Sequence, residues 1–327
     1  MPHAVSIADI DEAAVRIAPF VRRTAMLPCP ELERRSGRPV LAKCESMQRT
    51  GSFKIRGATN AVRRLDEAQA ARGVVTHSSG NHALALATAA ADRGIPAHVV
   101  MPTNASAVKR AAVERAGATV VSCGPTAAER ESACAEVATR TGAFVVPPYD
   151  HPWTIAGQGT VGLEIAQDVP HAGTVIVPVG GGGLIGGIAI ALRARRPDVR
   201  IVGAEPALAD DAAESFRTGR RAPQRPPVSV ADGLRAPLGE LTFPILRDAV
   251  DAVVTVSEDA IVDAMRIAFE ECRLVIEPSA AVGIAALLGG ACGGDPDRPA
   301  VVVLCGGNAD LAALPWLGSR SGIAHGR

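Results

Sequence analysis

Four consecutive glycines close the β-branched run TVIVPVGGGG (174–183), and a helix-forming stretch, 184–195, follows them. Strand, bare turn and helix in that order leave a chain few options. Residues without side chains uncover their backbone N–H groups. The first turn of the helix adds unpaired N–H groups and the positive end of its dipole, so the junction reads as a phosphate cradle. Glycines also permit a tight turn, but glycine is entropically costly to order, and a run of four asks for a ligand.

The same alternation recurs elsewhere. Apolar runs at 73–77, 97–101, 118–122, 174–179, 199–205 and 300–305 read as strands, and the segments 80–93, 105–116, 126–141 and 184–195 read as helices. Strands separated by such helices predict parallel βαβ units, hence an α/β chain. The Pro- and Arg-rich stretch TGRRAPQRPP (218–227) predicts a loop or boundary.

Composition removes several function classes. At 327 residues the chain has room for two domains or one large α/β unit with a substantial core. Lys plus Arg equals Asp plus Glu at 34 each, which gives no electrostatic footprint for nucleic acid or an anionic membrane. At 3% aromatic content, stacking platforms for single strands are unexpected as well. No apolar run reaches the ~18 residues of a membrane span. The opening MPHAVSIADIDEAAVRI lacks the basic and apolar regions of a secretory leader, so a cytoplasmic location is expected. Seven cysteines, at 29, 44, 123, 134, 272, 292 and 305, are odd in number and form no CxxC. They predict reduced thiols rather than a disulfide framework or a structural zinc.

The glycine loop has a second reading. Gly181, Gly183 and Gly186 satisfy GxGxxG, and Glu205 ends the next strand, which is a dinucleotide-fold spacing and points to an NAD-dependent oxidoreductase. That reading leaves Lys54 unexplained. Lys54 lies between Phe53 and Ile55 in TGSFKIRG (50–57). A desolvated lysine favours its neutral, nucleophilic amine, as Schiff-base chemistry requires.

TGSFKIRG, THSSGNHA (76–83), VPVGGGGLIGG (177–187), GAEPALADD (203–211) and LCGGN (304–308) occur in one order. Together they resemble the serine/threonine dehydratase and serine racemase family of pyridoxal phosphate enzymes, over residues 10–315 or so. The resemblance implies the two-domain fold type II, tryptophan synthase beta-like, with parallel-type sheets carrying helices on both faces. It implies a large cofactor-binding domain from residues 1–68 plus 151–327, a small domain at 69–150, and the cofactor between them. It also implies a homodimer.

Each need of the cofactor then has a matching residue. Lys54 resembles the Schiff-base lysine, which also removes the substrate's α-proton. Gly180, Gly181, Gly182 and Gly183, with Leu184 after them, match the phosphate loop. Asn81 matches the partner of the ring hydroxyl, although an Asx turn at a helix start would use it equally. Cys305 holds the position beside the pyridine nitrogen, where serine, threonine or cysteine is usual. Without a carboxylate there, the carbanion is less delocalised into the ring, which favours expelling a β-substituent. Glu277, in IEPS, and Phe53 resemble residues near the ring. Ser78, Ser79, Asn81 and His82 open a helix and suit the substrate carboxylate. In racemase-type members the serine matching Ser79 is the acid/base on the face opposite the lysine; as a plain helix cap it needs no such role. Arg130, in AAERES, matches an arginine that racemase-type members bring to the substrate, and also reads as a solvated helix face. Glu205, Asp211 and the Ala209 carbonyl resemble the family's divalent cation site, and hard oxygen ligands suit magnesium or calcium.

The chain departs from the pattern in places. Little sequence follows LCGGN, so a C-terminal regulatory domain is not expected. Tyr149, the only tyrosine, falls where racemase-type members have a small polar residue, and Ala236 where a hydroxyl residue is common. The expected activity is a dehydratase (ammonia-lyase) on a small-molecule β-hydroxy amino acid, by default L-threonine or L-serine. The alternatives are an amino-acid racemase, or a dehydratase for 3-hydroxyaspartate or a hydroxylated osmolyte derivative. A non-catalytic binding protein on the same fold is a further alternative.

Overall fold

The computed structural model describes residues 3–223 and 226–317. The chain opens with α1 (Ile7–Ile17), β1 (Met26–Pro28), α2 (Pro30–Ser36) and β2 (Val40–Lys43). Two helices, α3 (Lys54–Arg64) and α4 (Glu67–Arg72), lead to β3 (Val74–His77) and α5 (Asn81–Arg93). Then come β4 (Ala97–Pro102), α6 (Ala107–Arg115), β5 (Thr119–Cys123), α7 (Ala127–Thr141) and β6 (Phe144–Val145). The long α8 (Pro152–Asp168) precedes β7 (Thr174–Pro178), α9 (Gly183–Arg195), β8 (Arg200–Pro206) and α10 (Asp211–Thr218). The last elements are α11 (Thr242–Ala249), β9 (Ala252–Val256), α12 (Glu258–Glu270), α13 (Pro278–Leu288) and β10 (Ala300–Val303).

Two sheets result. One runs β5-β4-β3-β6 and is parallel throughout. The other runs β1-β2-β10-β7-β8-β9 and is parallel except for β1 against β2. The α/β expectation holds, and the predicted strands and helices lie within a few residues of those seen. Parallel strands covered on both faces read as unbroken apolar runs, and every residue of β7 and β10 is buried. Of the loop expected at 218–227, residues 219–223, 226 and 227 are irregular, and 224 and 225 lie outside the described residues. Residues 1, 2 and 318–327 of the large-domain expectation also lie outside them.

α8 has no counterpart in the sequence reading. It packs against α1, α3 and α9, and eleven of its seventeen residues are buried. Its polar residues Thr154, Gln158 and Thr160 are buried along with the apolar ones, so the sequence carries little amphipathic period to detect. Its glycines allow backbone to touch backbone. A Cβ on Gly157 would come within 2.6 Å of the Arg56 carbonyl oxygen and of Gly57 Cα on α3. A Cβ on Gly187 of α9 would come within 2.5 Å of the Gly159 nitrogen on α8. Neither backbone can give way, so Gly157→Ala is expected to destabilise the fold by roughly 1–3 kcal/mol through overpacking. The shift of a urea unfolding midpoint measures it.

Candidate active site

The C-terminal ends of parallel strands leave a crevice where ligands bind in open α/β sheets. Here β3, β7 and β10 of the two sheets point their ends at one cavity of about 470 Å³, within the usual range for a small-molecule site. Lys54, Phe53, Ser78, Ser79, Asn81, His82, Arg130, Gly180, Gly181, Gly182, Gly183, Leu184, Glu277 and Cys305 all line it. Glu205, Ala209 and Asp211 do not.

Lys54 is the first residue of α3. Its Nζ donates to the Pro148 carbonyl at 2.7 Å and lies 5.0 Å from the centre of the Phe53 ring. Burial lowers its pKa to about 8, although the charges of Cys305 and Glu277 pull the other way. Near neutrality an appreciable fraction of the amine is therefore deprotonated and nucleophilic. The backbone before it is pinned to the end of β10: Phe53 N–H donates to the Cys305 carbonyl at 3.1 Å, and Ser52 bridges Gly306.

The glycine run follows β7 and opens α9. Gly182 is the N-cap, with φ of +85°, a conformation that favours glycine, and no side chain caps the helix. Tyr149 packs over the run: a Cβ on Gly181 would sit 2.5 Å from Cε2 of its ring. Burial pushes the Tyr149 phenol up to about 12, so it stays protonated. α5 opens on the other side of the cavity, with Gly80 as N-cap and again no side-chain cap. Two helix N-termini thus meet one cavity, which suits a ligand carrying two anionic groups.

Asn81 is oriented by partners from two segments. Its Nδ2 donates to both Glu277 oxygens, at 2.9 and 3.1 Å, and its Oδ1 accepts from Asn308 Nδ2 at 2.8 Å. Asn308 Nδ2 also donates to the Thr50 carbonyl at 2.9 Å. Burial raises Glu277 to about 7 against the pull of the Asn81 hydrogen bond. The Cys305 thiol, fully enclosed, is pushed well above its usual value by burial and remains a neutral thiol. His82 Nε2 lies 3.0 Å from the Val146 carbonyl, so that nitrogen carries the proton, and burial lowers the ring to about 3, keeping it uncharged.

Arg130 reaches the cavity rim from α7, where its Nη1 donates to the Pro125 carbonyl at 3.0 Å. Lys109 of α6 and Asp232, which face each other across the mouth at 2.8 Å, were absent from the sequence reading, as were Asn308 and the Pro148 carbonyl. No local motif marks Lys109, Asp232 or Pro148, which arrive from distant segments; Asn308 closes the LCGGN stretch, but only the fold gives it a partner.

Glu205 is fully buried at the end of β8. Its oxygens accept N–H groups of Ala212 and Ala213 at 3.2 and 2.9 Å, and burial raises it to about 9. It faces the start of α10 rather than the glycine turn, so it cannot serve as the ribose-binding acid of a dinucleotide site. Ala209 and Asp211 line a separate cavity of about 170 Å³. Among the described residues, no group of three or more His, Cys, Asp or Glu side chains is gathered for a metal. No helix among them is long and apolar enough to cross a membrane, and all seven cysteines are free.

Residues 17–306 match the family model described as "Pyridoxal-phosphate dependent enzyme". The chain is 44% identical to a serine racemase of Oryza sativa subsp. indica over 316 residues, which is 95% of this chain and 93% of the relative. It is also 44% identical to a beta-hydroxyaspartate dehydratase of Paracoccus denitrificans (strain Pd 1222) over 308 residues, covering 94% of this chain and 98% of that one. The solved structure of maize serine racemase superposes with a TM-score of 0.93 at 43% identity, covering 97% of each chain.

A side chain on Gly181 would force the Tyr149 ring aside and crowd the start of α9. Gly181→Ala is therefore expected to weaken binding of inorganic phosphate roughly tenfold, read by equilibrium dialysis.

Proposed function

This chain belongs to the family of pyridoxal-phosphate dependent enzymes, and from that premise we propose that it is a dehydratase of a β-hydroxy amino acid. L-threonine or L-serine is the default substrate, and a 2-oxo acid and ammonia are the products. The observation that carries this reading is the Lys54 amine in the same cavity as the four bare glycines that lead into α9.

The residues fit the cofactor. The glycines leave the space and the N–H groups a phosphate needs, and a Cβ on Gly180 would already press on the Leu234 backbone at 2.9 Å. Gly180, Gly181, Gly182 and Gly183 would hold the phosphate, with Leu184 behind them; Lys54 the aldehyde carbon; Asn81 the ring hydroxyl; Cys305 the ring nitrogen. Phe53 and Glu277 would flank the ring. Pyridoxal phosphate, when bound, supplies a sink for the electrons left at Cα after its proton is removed. Lys54 Nζ takes that α-proton, which its depressed basicity allows near neutral pH. The first turn of α5, with Ser78, Ser79, Asn81 and His82, receives the substrate carboxylate. The neutral Cys305 thiol offers the ring nitrogen no counter-charge, which favours loss of the β-hydroxyl.

Racemisation is the second reading. It is supported by Ser79 lining the same cavity and by the relatives that are serine racemases. Lys109 and Arg130 at the rim support 3-hydroxyaspartate as an alternative substrate, in keeping with the dehydratase relative. The family also supports a homodimer and a cytoplasmic location. Glu205, Asp211 and Ala209 make an oxygen-only set that suits Mg²⁺ or Ca²⁺, and each Glu205 oxygen keeps a lone pair beyond its N–H bond.

Three experiments test these statements. The purified protein with pyridoxal phosphate is expected to show a visible band that borohydride abolishes, leaving the cofactor's mass on the peptide with Lys54. No band would overturn the reading. Ser79→Ala is expected to abolish racemisation and spare much of the elimination; equal loss of both would remove Ser79 from the racemase role. Millimolar Mg²⁺ or Ca²⁺ is expected to raise the melting temperature, and Asp211→Asn to cancel that rise.

A further inference from the structure

Lys54 begins a helix whose N-cap, Phe53, offers no side-chain cap. Gln158 Oε1 of α8 accepts the Gly57 N–H at 3.1 Å, and a second group holds the first turn as well. Two residues after Lys54, Arg56 is fully buried. Residues i and i+2 of an α-helix project about 200° apart, so Arg56 points away from the cavity that Lys54 faces. Its Nε and Nη2 donate to Glu45 at 2.8 Å each, and its Nη1 and Nη2 donate to Glu164 at 2.6 and 3.0 Å. Nη1 also donates to Thr160 Oγ1 at 3.1 Å, and Nη2 to the Arg22 carbonyl at 3.3 Å. All its N–H groups are engaged. Lys43, fully buried, donates to Glu164 at 2.5 Å and to the Thr24 carbonyl at 2.9 Å. Thr24 Oγ1 closes the circuit by donating to Glu45 at 2.5 Å.

Two cations and two carboxylates make this network neutral, so it casts little net field on Lys54. Buried ion pairs seldom stabilise a fold more than apolar residues of the same volume would. What a forked guanidinium supplies instead is direction. Glu45 lies nine residues before the start of α3 and Glu164 sits on α8, so the fork locks the rotation of the first turn of α3 against both.

We propose that Arg56 is a positioning residue for Lys54, holding its amine in the cavity from the opposite side of the same helical turn through Glu45 and Glu164. The proposal rests on the reading of Lys54 as the cofactor-bearing lysine, but its test does not need the cofactor. In the full chain, the rate of reductive methylation of Lys54 by formaldehyde and cyanoborohydride, followed by peptide mass analysis, reports its neutral fraction. Loosening the turn lets more water reach the amine, which moves it from about 8 towards the ordinary lysine value of 10.5. Arg56→Lys, which keeps the charge and loses the fork, is expected to slow labelling at pH 7 about tenfold, one unit of pKa. Glu45→Gln is expected to act in the same direction and decides the matter if Arg56→Lys does not fold. In the loaded protein, the pH midpoint of the visible band should move with it. A lower melting temperature with unchanged labelling would make Arg56 merely structural and overturn the proposal. A wild-type chain without a visible band would overturn the cofactor reading alone, because the labelling comparison still judges Arg56.

Discussion

Backbone pressed on backbone across α8 is the constraint on which the molecule depends. Gly157 meets Gly57 on one side, and Gly159 meets Gly187 on the other. α3 and α9 are thereby held at fixed distances from one helix. Each carries its chemistry at its first turn: Lys54 on α3, and the end of the glycine run on α9. Side chains between the helices would have allowed repacking, whereas glycine-to-backbone contact allows almost none. The separation of amine and anion cradle is thus set by backbone packing one helical turn behind each.

Burial then sets the protonation states. Lys54 is lowered to about 8, Glu277 raised to about 7, the Cys305 thiol pushed well up, and His82 held near 3, each chiefly by desolvation. The common cause moves every group towards its neutral form. With the charge on these side chains reduced, the carboxylate of an incoming amino acid is left to be met by helix N-termini. Beneath it, the Arg56, Lys43, Glu45 and Glu164 cluster keeps full charges but pairs them off.

The alternation of strands and helices was legible because parallel strands leave long apolar runs, as TVIVP and AVVV do. The site motifs were legible because each is contiguous: Lys54 with Phe53, the serines with Asn81, the glycines with Leu184. Other parts were hidden for physical reasons. α8 shows no polar face, β1 is three residues long, and β6 only two. Asn308, Lys109 and Asp232 gain meaning only from partners far along the chain. The GxGxxG spacing was weak evidence because it records a strand-to-helix turn, which many ligands share. Lys54 already argued against a dinucleotide, and Glu205 turned towards α10 agrees.

The larger sheet has a consequence for how the protein comes into being. β10, the most C-terminal of the described strands, lies in the interior of that sheet, between β2 and β7. During synthesis the ribosome releases β2 some 260 residues before the strand that must lie beside it (303 less 43). Until then β2 and β7 each wait with an unpaired edge, a state prone to association with other chains. The smaller sheet draws its strands from one contiguous stretch and faces no such delay. The nascent chain therefore has good reason to meet a chaperone, and the half of the cavity built on β10 is the last to form.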